Sequence, residues 1–316
     1  MSNFIPVLDL HQFNSSDTKE KQAFVDDIGA AFRDIGFVTI RNHGIDKNLV
    51  AQFYANAKNF FSLPGEIKVK YEIPGLAGQR GYTSFGKEHA KHSRVADLKE
   101  FYQIGQTVQG DDPIKNEYPD NVTTSDLPEF AKVGNQLYRS FEQSGALLLE
   151  AIALHLGLSA DYFKDKIWNG NSILRAIHYP PIIQEPDSAI RSEQHEDINL
   201  ITLLVGASAG GLQVLTMQGE WIEAMPGEDE IVVNVGDMLQ RLTNNVLKST
   251  THRVVNPPKE QWHVPRLSIP FFLHPRSTMD LSCLPSCINS NNPLQYEPIT
   301  AGAYLDERLR EIGLKK

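Results

Sequence analysis

Along the first half of the chain, apolar residues recur at helical spacing. Between Glu20 and Phe32, Phe24, Ile28, Ala31 and Phe32 fall on one 3.6-residue stripe, while Lys21, Asp26, Asp27 and Arg33 lie mostly off it, which predicts an amphipathic helix. Gly36 interrupts that pattern. Phe37-Val38-Thr39-Ile40 then makes a short β-rich run that ends in the turn signal Asn42-His43-Gly44. A second helical stretch covers about Leu49 to Phe61 and stops before Pro64-Gly65. A third runs from about Leu127 to Leu156 with Gly157 as its cap. Between these two, Ile73 to Arg94 has loop composition, and Glu100 to Ile104 follows it as a strand.

After about Asn171 the period changes. Ser172 to Tyr179, Asn199 to Val205, Gly211 to Leu215, Glu230 to Val235 and Leu267 to Leu273 are short β-rich runs. Turn residues such as Pro180-Pro181, Gly210-Gly211, Pro226-Gly227 and Asn244-Asn245 separate them, as in a sandwich or double-sheet jelly roll. The expected class is mainly β with α, in one compact unit over residues 1–316. Within it, 1–165 is mainly helical with a few strands, 166–280 is a jelly-roll core, and 281–316 is a C-terminal extension ending in a helix.

Composition narrows the function. The 316 residues are 41% hydrophobic, enough for a sizeable core. The net charge of −9 argues against a nucleic-acid groove or an anionic membrane surface, both of which call for clustered Lys and Arg. No stretch reaches the roughly 18 apolar residues of a membrane span, and Pro6 and Asp9 break the opening apolar run. Two cysteines, Cys283 and Cys287, are too few for a disulfide scaffold and have the wrong spacing for a zinc set, so they read as reduced structural thiols. The expectation is a cytoplasmic protein, monomeric or weakly self-associating, that acts on a small molecule.

The candidate chemistry lies in His195-Glu196-Asp197, read as the head of a strand, and in His252 on another. Ten histidines and 39 acidic residues give about one His-x-Asp/Glu by chance, so context must decide. Residues i and i+2 of a strand share a face, so His195 and Asp197 can meet one ion while Glu196 points away. His252 sits in the β-branched run Ser249 to Val255. Two imidazoles and a carboxylate form the facial triad of non-haem iron(II), which leaves adjacent positions open. Downstream, Arg266-Leu267-Ser268 repeats the i, i+2 geometry with groups suited to a carboxylate. A 2-oxo dicarboxylic acid would chelate the iron at one end, reach Arg266 and Ser268 with the other, and leave a position for O2. Simpler readings accompany these. Arg266 could serve a structural ion pair, His43 is structural, and His178 faces away from Tyr179's side of its strand. The basic stretch Lys87, His89, Lys91, His92 and Arg94 is a solvated loop or, alternatively, a catch for a substrate carboxylate.

In chain order, the segments Ile5 to Asp9, Gly36-Phe37-Val38 through Asn42-His43-Gly44, Arg80-Gly81-Tyr82, Asp97-Leu98-Lys99-Glu100 and His178-Tyr179-Pro180-Pro181 precede the triad motif. Gly211-Leu212-Gln213-Val214, Gly236-Asp237, Asn244, His252-Arg253-Val254 and Arg266-x-Ser268 follow it. With them the chain resembles the isopenicillin N synthase-like family of iron(II)/2-oxoglutarate-dependent oxygenases over nearly its whole length. The resemblance implies a distorted double-stranded β-helix with helices packed around it, and Fe(II), 2-oxoglutarate and O2 as cofactor and co-substrates, with ascorbate as a stimulating reductant. It also implies a role for Tyr179 in bonding the co-substrate. The implied reaction decarboxylates 2-oxoglutarate to succinate and CO2 and hydroxylates, desaturates or cyclises an amino-acid-like or specialised metabolite. The chain departs from the family pattern twice. Ile177 stands where plant members commonly have Asn, and Asn244-Asn245 replaces the usual Asn-Gly turn. Two alternatives stay open: an iron oxidase that needs no 2-oxoglutarate, and a non-catalytic metal-binding jelly roll.

Overall fold

Two facing sheets organise the chain, described in a computed structural model for residues 4–76, 78–89 and 95–311. The larger has eight strands, in the order β1 (Val7–Asp9), β2 (Phe37–Arg41), β10 (Glu230–Val235), β7 (Ile201–Val205), β12 (Arg266–Leu273), β5 (Ile173–Tyr179), β4 (Glu100–Gly105) and β3 (Gly81–Thr83). The smaller has four, β6 (Ser192–His195), β11 (His252–Val254), β8 (Leu212–Leu215) and β9 (Trp221–Glu223). The β1–β2 pair is parallel; the central pairs are antiparallel. This is the expected jelly roll, with four strands of its large sheet drawn from the first half of the chain.

Alternation along each strand gives the large sheet two different faces. On the outer face, Val38, Ile40, Leu174, Leu203, Ile231 and Phe271 join the main core with the helices. On the inner face, Phe37, Phe101, Ile177 and Val232 meet Leu212, Val214 and Val254 of the small sheet in a separate cluster. The inner cluster is short, so the sheets stay apart over much of their length and enclose a cavity.

The helices cover the outer face for reasons legible in their sequences. α1 (Thr18–Asp34) and α2 (Lys47–Phe61) begin at Asp17 and Asp46, whose carboxylates accept from Lys19 N–H and Asn48 N–H. α3 (Pro128–His155) starts with proline in its first turn. It ends at Gly157, with φ +71°, where Leu158 N–H donates to Ala153 O and Gly157 N–H to Leu154 O. That is a Schellman cap, and only glycine adopts its left-handed conformation without strain. Phe53, Phe60 and Phe130 of α2 and α3 stack in series, with centroids 5.3 and 5.2 Å apart. Each such buried ring contributes about 1.5–3 kcal/mol. α4 (Ala301–Glu311) is the helix expected in the C-terminal extension, and its Leu309 lines the cavity.

One expectation needs correction. The segment read as loop from Ile73 to Arg94 contains β3, an edge strand of three residues paired with β4. It is too short to show alternation, and it starts at a glycine with φ +74°. Lys87 pairs with Glu72 at 2.6 Å on the surface, while Lys91, His92 and Arg94 lie outside the described residues. Asn244 and Asn245 do adopt positive φ, +48° and +66°, so the turn survives the loss of glycine. Cys283 and Cys287 are free and buried, and the Cys283 thiol donates to Arg241 O at 3.3 Å.

Gly236 ties the sheets to the site, because a Cβ there would lie 2.3 Å from the backbone oxygen of Asn199. Gly236→Ala is expected to cost about 1–3 kcal/mol, the usual penalty of overpacking, read as a lower midpoint in urea denaturation.

Candidate metal centre and its cavity

His195 and His252 are directly opposed in the β6–β11 ladder, which sets their ring centroids 4.4 Å apart. Asp197 completes the group. Its Oδ1 lies 4.0 Å from His195 Nε2 and its Oδ2 3.9 Å from His252 Nε2. Among the described residues these three form the one cluster whose ligand atoms could share an ion, all within 4.8 Å of one another. The reason differs from the one the sequence suggested. β6 ends at His195, so Asp197 lies beyond the strand and the alternation rule does not place it. Instead Asp197 Oδ2 accepts from Thr202 Oγ1 at 2.6 Å and Asn234 Nδ2 at 2.9 Å, and Asn199 Nδ2 donates to Thr202 Oγ1. Glu196 does point away, accepting from Thr251 Oγ1.

The chemistry of the donors fits a divalent metal. Both Nδ1 atoms face backbone carbonyls, His195 toward Glu193 O at 2.7 Å and His252 toward Thr250 O at 3.0 Å. A carbonyl can only accept, so each Nδ1 carries the proton and each Nε2 lone pair faces the cluster. Burial, followed by the neighbouring His252, lowers the His195 pKa to about 4. Burial pushes the Asp197 carboxyl up, but His252, His195 and the Asn234 and Thr202 hydrogen bonds hold it below its ordinary value on balance. The His195 imidazole is therefore neutral and the Asp197 carboxyl ionised at neutral pH, so neither has to lose a proton to meet a metal. Thr202 and Asn234 gave no signal in the sequence, because each reads as an ordinary strand residue until the fold aims it at Asp197.

The triad opens into a cavity of about 1210 Å³. Arg266 and Ser268 line it from one face of β12, opposite Tyr179 and Ile177 on β5. Arg266 is 2% exposed, and its guanidinium sits 5.0 Å from the Tyr179 ring centroid. Its Nε donates to Ala209 O, while its Nη1 is buried with no partner. Arg191, equally buried, lies over the same tyrosine and gives Nη2 to Val264 O, with its Nε also unpartnered. Burial and the charge of Arg266 lower its pKa to about 10. Neither guanidinium has a carboxylate partner among the described residues. Two buried like charges of this kind are costly unless an anion joins them, so the structural ion-pair reading of Arg266 falls. His178, as expected, turns outward, pairing with Glu100 at 2.7 Å and stacking on Phe61. His43 sits in a turn and accepts from Ile45 N–H.

A jelly roll holding two histidines and a carboxylate, with a buried cationic pocket in the same cavity, defines a non-haem metal oxygenase. Comparison with known proteins places it. Residues 5–126 match the family model described as non-haem dioxygenase in morphine synthesis N-terminal, and residues 170–275 match the 2OG-Fe(II) oxygenase superfamily. The chain is 32% identical over 323 residues to a 2-oxoglutarate-dependent dioxygenase of Aspergillus rugulosus, covering 95% of this chain and 96% of that one. It is 34% identical over 317 residues to a proline hydroxylase of Petromyces alliaceus, covering 96% and 97%. A crystal structure of a 2OG-Fe(II) oxygenase family protein from Caulobacter crescentus superposes with TM-score 0.89 at 41% identity, over 98% of this chain and all of that one. A full-length Neurospora crassa protein, solved in complex with alpha-KG and thymine, superposes with TM-score 0.86 at 32% identity, over 97% and 96%. The chain belongs to the 2-oxoglutarate- and iron(II)-dependent oxygenases. It is a dioxygenase that needs Fe(II) and 2-oxoglutarate, which sets aside the 2-oxoglutarate-free oxidase and the non-catalytic jelly roll. No helix among the described residues is long and apolar enough to cross a membrane.

His274 shares the behaviour of His195, its pKa lowered to about 4 by burial. The unfolded chain takes up these protons near pH 6.5, the folded metal-free protein only near 4. Between those values the unfolded state binds more protons, so stability falls as pH drops. Urea denaturation of metal-free protein at pH 7 and pH 5 is expected to show the loss, reduced in His195→Gln.

Proposed function

We propose that His195, Asp197 and His252 hold the iron(II), that Arg266 and Ser268 take the far carboxylate of 2-oxoglutarate, and that Tyr179 packs against that anchor. The observation that carries this reading is the buried, unpartnered Nη1 of Arg266, on the same strand face as Ser268 and in the same cavity as the triad. A guanidinium fork meets a carboxylate through paired charge-assisted bonds, and a serine hydroxyl adds a third donor. Ile177 keeps the wall opposite Ser268 apolar, so the anchor relies on the arginine and the hydroxyl.

With iron, 2-oxoglutarate and O2 bound, the family chemistry yields succinate, CO2 and one oxygen atom for the substrate. The chain supplies the rest. Thr202 and Asn234 fix the Asp197 carboxylate, the two backbone carbonyls fix the imidazole tautomers, and the cavity beside them gives a substrate room to be held in one orientation. We read the reaction as hydroxylation of a small molecule. The relative named proline hydroxylase and the Neurospora crassa protein solved with thymine support a small nitrogen-containing ring as the substrate type. The same reading carries a single compact catalytic unit acting as a monomer or weak homo-oligomer in the cytoplasm.

Anaerobic titration of the iron(II)-loaded protein with 2-oxoglutarate should produce the weak visible charge-transfer band of a chelated 2-oxo acid. Arg266→Ala should need roughly 10–100-fold more 2-oxoglutarate to reach the same band, since hydrogen bonds to charged groups are worth about 1.5–3 kcal/mol. No band in wild type despite bound iron would refute the assignment. His195→Ala and Asp197→Ala should form no succinate, and full turnover in either would remove it from the ligand set.

A further inference from the structure

Arg191 stands immediately before β6, the four-residue strand that ends in His195. The backbone around it is held from two sides. Leu98 N–H donates to Ile190 O and Asn256 Nδ2 to Ala189 O, and the next residue, Ser192, pairs with Val254 in the small sheet. From there the side chain reaches the large sheet, where its Nη2 donates at 2.9 Å to Val264 O, two residues ahead of Arg266 on the lead into β12. That path carries the guanidinium over the Tyr179 ring, 6.0 Å from its centroid, and Arg266 approaches the same ring at 5.0 Å.

A tie between the two sheets explains the hydrogen bond to Val264 but not the charge. A neutral donor such as a glutamine amide would serve a carbonyl equally well without the cost of desolvating a guanidinium. Arg191 is 2% exposed, and its Nε is buried with no partner. The charged or ionisable groups that act on it are Arg266, which opposes its positive charge, and the Tyr179 phenol. No carboxylate is among them. On the adjoining segment Asp97 is engaged by Lys99 at 2.8 Å, and Lys99 is matched further by Glu88 at 2.7 Å. The Tyr179 ring is therefore flanked by two guanidiniums that the chain itself does not neutralise, an arrangement that is costly until an anion joins it.

Arg266 and Tyr179 line the cavity, and Arg191 stands behind them. An anion in the cavity would touch Arg266 and feel Arg191 across the tyrosine. Away from water a charge acts over such a distance far more strongly than it does in solution. The contact with the ring face also restrains the tyrosine, since a cation is attracted to the π face of an aromatic ring.

We propose that Arg191 is a positioning residue for the co-substrate: it holds the Tyr179 ring against the anchor and adds a second positive charge behind Arg266, which makes the pocket selective for 2-oxo acids with an anionic far end. This rests on the assignment of the far carboxylate to Arg266 above.

The anaerobic charge-transfer band of the iron(II)-loaded protein tests it with two 2-oxo acids, 2-oxoglutarate and 2-oxopentanoate, which share the chelating end and differ in the far carboxylate. In wild type 2-oxoglutarate should reach half its band at a concentration roughly 100-fold lower than 2-oxopentanoate. Arg191→Met should raise the 2-oxoglutarate midpoint about tenfold and the 2-oxopentanoate midpoint less than about twofold, so that the preference shrinks. Arg191→Lys keeps the charge and should hold the preference within about threefold of wild type. An arginine that only ties the sheets together predicts equal weakening of both acids. Equal weakening in Arg191→Met, no change for either acid, or a lysine variant as unselective as the methionine variant would overturn the proposal. If Arg191→Met misfolds and gives no band with either acid, Arg191→Gln, which retains a donor for Val264 O, decides by the same comparison. Wild type that binds both acids alike would strike the Arg266 assignment instead, and a missing band would strike the iron assignment.

Discussion

Much of this structure follows from the alternation of side chains along β5 and β12, the paired strands at the middle of the large sheet. One face must be apolar enough to hold the helices, and Leu174, Phe271 and Leu273 provide that through α3 and the main core. The other face is thereby free to be polar. It carries Arg266 and Ser268 at one end of β12 and leads to His274 just past the other, so a single strand spans the cavity. A one-residue slip in this ladder would bury the arginine among the helices and expose Phe271 to the cavity, which is why the register is so strongly specified.

The charged groups around the cavity fall into a matched set and an unmatched one. Where charges are meant to stay, they are matched: Lys99, Glu88, Asp97 and Arg175 neutralise one another at close range. Asp97 also accepts from Glu193 N–H, and Lys99 reaches Ser192 Oγ, so this network pins β6 just before His195. Where a ligand is meant to bind, the protein leaves groups unpaired. Arg266 and Arg191 have no carboxylate partner among the described residues, and His195, Asp197 and His252 bring three ligand-type atoms together. Each unpaired group lowers the stability of the empty protein and is offset on binding, so iron and 2-oxoglutarate should stabilise the fold as well as enable chemistry.

The three proposed metal ligands are held by neighbours that restrict them from several directions. His195 and His252 are fixed by strand pairing and by backbone carbonyls at Nδ1. Asp197, lying outside any strand, depends on side chains from β7 and β10, with Asn199 orienting Thr202 and Gly236 allowing the backbone to approach Asn199. The large sheet thus positions one member of the cluster and the small sheet the other two.

The sequence alone determined the three long helices to within two residues at each end, because their apolar stripes and the Gly157 cap are local signals, whereas the short helical segments Leu10–Phe13, Gly65–Lys68, Lys164–Ile167 and Asp237–Leu242 carry too few residues to show a stripe. It found most strands of the second half, though not the three-residue β9 and not the true bounds of β6, and it named the candidate ligands and the Arg266-x-Ser268 pair, because chemistry of that kind is written in residue type and short spacing. It placed His195 and Asp197 together for the wrong local reason, since the end of β6 is set by pairing with β11 rather than by composition. The tertiary structure alone decided what was not local. Thr202 and Asn234 support Asp197 from distant positions in the chain, Arg191 joins Arg266 across the Tyr179 ring, and β3 exists only because β4 pairs with it. Burial decided the rest. Whether a histidine such as His274 is a satisfied core residue or an open hydrogen-bonding group depends on which partners the fold leaves beside it, and residue order does not record that.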